Sequence, residues 1–90
     1  MKTETVEIIN KLGLHARASS RLVNLTKTFG ADIRLAAEGQ APIDAKSIMA
    51  VMTLAAAQGT HLTLTCEGRD EVAAFEAVRH LIADRFGEPE

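Results

Sequence analysis

His15 and Arg17 are the residues of this chain whose types and spacing best suit chemistry. They lie where a strand-like pattern ends and an amphipathic helix pattern begins, with Gly13 between the two. Glycine adopts backbone angles that other residues avoid, so it can turn the chain sharply at this point. We therefore expect His15 at or near the N-cap of a helix.

A helix that begins after His15 leaves the backbone N–H groups of Ala16, Arg17 and Ala18 without partners. Together with the positive end of the helix dipole, such groups form a site for an anion. Histidine is a poor N-cap compared with Ser, Thr, Asp or Asn, so helix stability does not account for His15. A neutral imidazole is a nucleophile, and an arginine fork suits a phosphate. We predict a phosphohistidine site in which His15 accepts the phosphoryl group and Arg17 stabilises the phosphate.

Three segments of the chain resemble the HPr family, the histidine-containing phosphocarriers of the bacterial phosphoenolpyruvate:sugar phosphotransferase system. They are Gly13-Leu14-His15-Ala16-Arg17-Ala18, Asp44-Ala45-Lys46-Ser47-Ile48-Met49 and Gln58-Gly59-Thr60. The resemblance spans residues 3–86. It implies a phosphoryl carrier for sugar transport, not an enzyme, which receives phosphate from enzyme I on Nδ1 of His15 and passes it to an EIIA-type protein. Many members have proline after the arginine, and we expect Ala18 to loosen the helix start slightly.

Two surfaces are predicted to meet partner proteins. The outer face of the first helix is basic, although a solvated helix surface is the plain alternative. The second helix, predicted over residues 48–57, carries no charge, and a short helix apolar all round is either buried or exposes a patch. HPr proteins engage partners through this helix, so the resemblance favours exposure over core packing of its methionines. The predicted partner-binding residues are Leu14, Ser20, Arg21, Asn24, Lys27, Ile48, Met49 and Met52.

Ser47 precedes the second helix, where serine is a good N-cap. In the HPr family the serine of this motif is phosphorylated by HPr kinase/phosphorylase, so the resemblance adds Ser47 as a regulatory phosphorylation site. A phosphate there would bring negative charge next to the apolar patch and disfavour the binding of enzyme I. A capping role without regulation is the alternative.

The remaining pattern predicts one α+β domain over residues 1–90, with the order β-α-β-β-α-β-α. Strands are predicted at residues 5–10, 31–37, 40–43 and 60–67, and helices at 16–29, 48–57 and 71–86. Alternating apolar and polar positions predict an antiparallel sheet covered on one face by helices. Strand 4 should lie between strands 1 and 2, with strand 3 at the edge because Pro42 cannot donate to a ladder. This arrangement is the HPr-like open-faced β-sandwich that the resemblance implies.

Glycines mark the expected ends of the helices, and an aspartate precedes the third helix. Gly30 is placed where a left-handed stop is wanted, Gln58-Gly59 ends the second helix, and Gly87 ends the third. Asp70 is the expected N-cap of the third helix. The last three residues, 88–90, should be frayed.

Composition argues against several classes of function. A net charge of −2 and only three aromatic residues, all phenylalanine, indicate no attraction to nucleic acid. The chain shows no metal-ligand cluster and no glycine-rich nucleotide loop, so we expect no metal and no cofactor. Its single Cys66 fits a reducing compartment, and it has neither a signal-peptide pattern nor a membrane-spanning run. We expect a monomeric cytoplasmic protein without membrane insertion, with His61 and His80 as ordinary surface residues.

Two further functions stay open at this point. One is the nitrogen-related branch of the phosphotransferase system, whose carrier has the same His-Ala-Arg core, a dedicated enzyme I and a regulatory role. The other is a non-catalytic adaptor that binds a regulator through Met49 and Met52. The presence of His15 argues against a purely regulatory protein, in which that residue would be dispensable.

Overall fold

The computed structural model describes residues 1–90 as a four-stranded antiparallel sheet with three α-helices. The strands are β1 (Lys2–Glu7), β2 (Asp32–Ala37), β3 (Ile43–Asp44) and β4 (His61–Glu67), and the helices are α1 (Ala16–Thr26), α2 (Ile48–Thr53) and α3 (Glu71–Ala83). A short 3₁₀ turn, Arg85–Gly87, follows α3. The sheet order is β1-β4-β2-β3, which confirms the predicted topology and places β3 at the edge. None of the helices combines the length and the apolar character needed to cross a membrane.

The core lies between one face of the sheet and the helices. Every second residue of β2 and β4 is buried, as the alternating pattern predicts. The buried strand residues are Ile33, Leu35, Leu62, Leu64 and Cys66. Phe75 of α3 and Phe86 of the 3₁₀ turn are the largest buried side chains. The other sheet face is polar and open, as expected for an antiparallel sheet with a single covered side.

All three helices end earlier than the sequence predicts, at Thr26, Thr53 and Ala83. Gly87, the expected end of the third helix, lies in the 3₁₀ turn that follows it. Gly30 does not adopt a positive φ, so the predicted left-handed stop is wrong. The carbonyl of Phe29 instead accepts a hydrogen bond from Lys46 Nζ at 2.7 Å, and the loop is held by the Asp70 carboxylate. Helix α2 stops at Thr53, before the predicted residue 57, because Ala55 turns to φ +49°. That turn points Ala56 into the core.

Strands β1 and β3 also have different bounds from those predicted. Strand β1 runs from Lys2 to Glu7 rather than over residues 5–10, and Val6 is buried. Ile8 lies just after β1, and its N–H donates to the carbonyl of Thr60, just before β4, at 2.9 Å. Strand β3 has two residues instead of four, and Pro42 lies before it, where no ladder hydrogen bond is required.

The C-terminal segment, residues 84–90, is not frayed, so that prediction is wrong. Phe86 is fully buried, and its carbonyl accepts a hydrogen bond from the guanidinium of Arg21. The carbonyl of Glu90 accepts from the backbone N–H of Lys11 at 3.1 Å, and the two side chains form an ion pair at 3.4 Å. A buried aromatic residue and contacts to distant parts of the chain therefore fix this segment on the protein.

Candidate functional site

The loop before α1 is shaped by close packing at Gly13. Gly13 has φ +66°, and a Cβ there would lie 2.9 Å from the Cα of Ala57. The next residue, Leu14, donates its N–H to the carbonyl of Ala56 at 2.8 Å. The side chain of Asn10 closes the loop, since its Nδ2 donates to the carbonyl of Gly13 at 2.8 Å. Only a residue without a Cβ fits this turn, and the turn brings the chain to His15.

His15 is the N-cap of α1, as predicted. Its backbone is extended, with φ −74° and ψ 179°, and its carbonyl accepts the first helical hydrogen bond, from Ser19 at 2.9 Å. The imidazole makes no capping hydrogen bond, so the helix start gains nothing from the ring. Its side chain is 28% exposed, which lets another molecule reach it.

The helix start leaves backbone N–H groups free beside the imidazole. The N–H groups of Ala16, Arg17 and Ala18 donate to no backbone carbonyl. Ala16 and Arg17 are exposed, whereas Ala18 has no exposed surface, so the amides that an anion can reach are those of Ala16 and Arg17. The helix forms from Ala16 onwards with alanine in place of proline at the third position.

Arg17 lines an open cleft of about 290 Å³. The cleft is lined by Lys11, Leu12, Arg17, Glu88, Pro89 and Glu90. Arg17 forms no ion pair, although two carboxylates line the same cleft. A guanidinium without an ion pair keeps its donors available to a bound phosphate.

Glu88 is the residue that the sequence prediction misses. Its Oε2 is hydrogen-bonded to His15 Nε2, and its Oε1 accepts from Asn10 Nδ2 at 2.9 Å. Its side chain is only 10% exposed. The hydrogen bond from Asn10 and then the contact with His15 lower the pKa of Glu88 below the ordinary glutamate value. The sequence carries no local signal for this contact, because 73 positions separate Glu88 from His15.

The predicted partner-binding residues in and around α1 differ in exposure. Asn24 on α1 and Lys27 at its C-cap are exposed, and Ser20 is half-buried. Arg21 is exposed, and its guanidinium uses one of its donors on the carbonyl of Phe86. Leu14 is only 6% exposed and packs in the core, so it offers little surface to a partner, and its docking role stays a prediction.

The apolar patch on α2 is exposed, as predicted. Met49 is 79% exposed, Met52 45% and Ile48 40%, whereas Val51 of the same helix is fully buried. Helix α2 packs beside α1, so the patch lies on the helix next to the one that His15 caps. Ser47 is the N-cap of α2, and its Oγ accepts a hydrogen bond from the N–H of Ala50 at 3.3 Å. The predicted capping role of Ser47 is therefore confirmed.

Comparison with known proteins identifies the family of this arrangement. Residues 2–84 match the family described as PTS HPr component phosphorylation site. The phosphocarrier protein HPr of Cupriavidus necator is 52% identical over 83 residues, which is 92% of each chain. That of Pseudomonas aeruginosa is 46% identical over 85 residues, 94% of each chain.

Solved structures agree with the sequence relatives. HPr-C-His from Thermoanaerobacter tengcongensis superposes with a TM-score of 0.94 at 40% identity over the whole of both chains. A dimeric HPr from the same organism has a TM-score of 0.77 at 41% identity, covering 98% of this chain and all of that one. The chain therefore belongs to the HPr family, and it is a phosphocarrier of the phosphotransferase system and not a catalyst.

Proposed function

We propose that His15 accepts a phosphoryl group from phospho-enzyme I and passes it to an EIIA-type protein. The observation that carries this proposal is a partly exposed imidazole at a helix N-cap that makes no capping hydrogen bond. The free amides of Ala16 and Arg17 follow it directly in the chain, and the unpaired side chain of Arg17 lines the same cleft as Glu88, whose carboxylate contacts His15. A nucleophilic nitrogen beside a cradle of donors is what transfer to and from a carrier requires.

The shallow position of the site suits a carrier, because two proteins must reach the same nitrogen in turn. Arg17 and the amides of Ala16 and Arg17 hold the phosphate in this proposal, and these exposed residues, with the partly exposed His15, are accessible to a partner. An exposed arginine holds a phosphate less strongly than a buried one, so the group does not become trapped on the carrier. In the family the phosphate is attached to Nδ1, and His15 Nδ1 has no hydrogen-bond partner within the protein.

We propose that partners dock on the exposed parts of α1 and α2 around His15. Asn24 and Lys27 supply polar and positive contacts, and Met49 and Met52 supply an apolar patch that can adapt to more than one protein. Negative surfaces on enzyme I and on the EIIA-type acceptor would complement the basic face.

Ser47 is proposed as a regulatory phosphorylation site for HPr kinase/phosphorylase. Its Oγ caps α2 directly before Ile48 and Met49, so a phosphate on it would stand beside the apolar patch. Negative charge at a helix N-terminus is favourable for the helix, but it opposes an apolar docking contact. Incubation of wild type and Ser47→Ala with the kinase and ATP, followed by mass spectrometry, tests this. Equal phosphate uptake by both proteins would exclude Ser47.

The carrier proposal is tested with ³²P-labelled phosphoenolpyruvate and enzyme I. Wild type should take up the label, whereas His15→Ala should fold normally and take up none, because α1 and the loop before it contain no other histidine. His80→Ala is the matched control, since His80 is an exposed histidine on α3. Full labelling of His15→Ala would remove the proposal. Running the assay with sugar-type and nitrogen-type enzyme I in parallel decides between the sugar branch and the regulatory nitrogen branch.

A further inference from the structure

We propose that Glu88 is a positioning residue for phosphoryl transfer, which holds the proton of His15 on Nε2 and leaves Nδ1 as the nucleophile. The inference rests on the proposed function of His15 as the phosphoryl acceptor. It gives a role to the C-terminal segment that follows α3.

The chemistry of the contact determines where the imidazole proton lies. An ionised carboxylate can only accept hydrogen bonds. Oε1 of Glu88 accepts from Asn10 Nδ2, and Oε2 meets His15 Nε2. The low pKa of Glu88 keeps this carboxylate ionised near neutral pH. Nε2 must then be the donor, and since a neutral imidazole has one N–H, Nδ1 keeps its lone pair.

The orientation of Asn10 supports the same assignment. Its Nδ2 donates to two acceptors, the carbonyl of Gly13 and Oε1 of Glu88. Its Oδ1 is buried and has no hydrogen-bond partner. A flipped amide would place Oδ1 against both acceptor oxygens. The atom of Asn10 that faces Glu88 is therefore the Nδ2 donor and not the Oδ1 acceptor.

The C-terminal segment is built to hold Glu88 in place. Arg85 and Phe86 have φ +58° and +55°, a region that residues with a Cβ rarely adopt. Such a conformation persists only where the surroundings impose it, and here the ring of Phe86 is fully buried and Arg21 binds its carbonyl. The contact between Glu88 and His15 is therefore part of the packed structure and not a chance meeting of a loose end.

The transfer step balances with this proton arrangement. The lone pair of Nδ1 forms the new N–P bond while the bond from phosphorus to the donor atom breaks, and that electron pair stays with the donor. No proton has to move, because the ring keeps its proton on Nε2 and becomes a cation. The negative charge of Glu88 lies against Nε2 and stabilises that cation, as the buried aspartate of a serine-protease triad does for its histidine. On transfer to the acceptor the N–P electron pair returns to Nδ1.

Glu88→Gln separates positioning from simple packing. Glutamine has the size of glutamate, but Asn10 Nδ2 requires the carbonyl oxygen of the new amide to face it. The NH₂ group then faces His15 Nε2 and donates to it, which favours the tautomer with the proton on Nδ1. We expect Glu88→Gln to slow phosphorylation of His15 by phosphoenolpyruvate and enzyme I by about tenfold or more. The slowing should equal or exceed that of Glu88→Ala, and ¹⁵N NMR should place the ring proton on Nε2 in wild type and on Nδ1 in Glu88→Gln.

A purely structural role predicts a different order, because Glu88→Gln would preserve packing and hydrogen bonding and behave like wild type. That result, or faster phosphorylation of Glu88→Ala than of wild type, would overturn the inference. Asp84→Asn is the control, since it removes an exposed carboxylate at the end of α3 and should change neither rate nor tautomer. Thermal unfolding confirms that each variant folds. Mapping of the labelled residue keeps the two proposals apart, because phosphate on a residue other than His15 refutes the proposed function instead.

Discussion

Replacing Gly13 with alanine is expected to lower the free energy of unfolding by about 3 kcal/mol, in three contributions. Gly13 has φ +66°, and a left-handed backbone costs an alanine about 1 kcal/mol. The new Cβ would lie 2.9 Å from the Cα of Ala57, so backbone must move, at a cost of about 1 kcal/mol. That movement would break the hydrogen bond from Leu14 N–H to the carbonyl of Ala56, which contributes about 1 kcal/mol.

Gly39→Ala is the matched control for this prediction. Gly39 has φ +76°, but no atom lies within 4 Å of the position of its Cβ, so it should lose only the backbone contribution of about 1 kcal/mol. Urea unfolding followed by circular dichroism measures both variants. With a slope of about 1 kcal/mol/M, the midpoints should fall by about 3 M for Gly13→Ala and 1 M for Gly39→Ala. Equal losses would refute the close packing that we infer between the loop before α1 and the segment after α2.

Three further predictions concern single side chains. Arg17→Ala should leave the free energy of unfolding within about 0.5 kcal/mol of wild type, because Arg17 is exposed and without an ion pair. The same variant should slow phosphorylation by enzyme I about 100-fold, measured by label uptake, since a fixed donor to the phosphate is lost; an unchanged rate would exclude Arg17 from the site. Ser47→Ala should lower the free energy of unfolding by about 1 kcal/mol, because the Oγ that caps Ala50 N–H is removed. No change in the urea midpoint would show that the cap does not contribute. Hydrogen bonds from the backbone amides of Gly30 and Ala31 lower the pKa of Asp70. The stability that the ionised Asp70 gives to the folded protein is therefore complete above the ordinary aspartate pKa and is lost as the pH falls through the lowered pKa. Asp70→Asn should therefore flatten the acid limb of the stability–pH curve, whereas Asp84→Asn should leave it steep.

The parts of the site that could be predicted from the sequence are those set by neighbours along the chain. Gly13 followed by an amphipathic stripe places His15 at a helix N-cap, and the structure confirms it. Serine before an uncharged helix predicts the cap at Ser47, which is also found. These are local rules, in which residues a few positions apart decide the backbone.

The parts that could not be predicted depend on contacts between distant segments. The run Leu54-Ala55-Ala56-Ala57 has high helix propensity, yet it leaves the helix because the Ala56 carbonyl is used by Leu14 and its methyl group fills the core. The C-terminal segment has the composition of a loose end, but burial of Phe86 and the hydrogen bond from Arg21 hold it. Leu14 is far in the sequence from Ala56, and Arg21 is far from Phe86, so a local sequence pattern does not reveal either contact.

The division between local and distant contacts corresponds to a division of chemical tasks in the site. The local part supplies the anion cradle, through the amides of Ala16 and Arg17, and these groups act on the phosphate. The distant part supplies Glu88 and Asn10, which act on the imidazole and not on the phosphate. A carrier needs both tasks to be adjustable separately, because tighter phosphate binding slows release whereas a better placed nucleophile speeds transfer in both directions. Changes at Glu88 should therefore alter the position of the ring proton together with the transfer rate, whereas changes at Arg17 should alter the transfer rate and leave the tautomer of His15 unchanged.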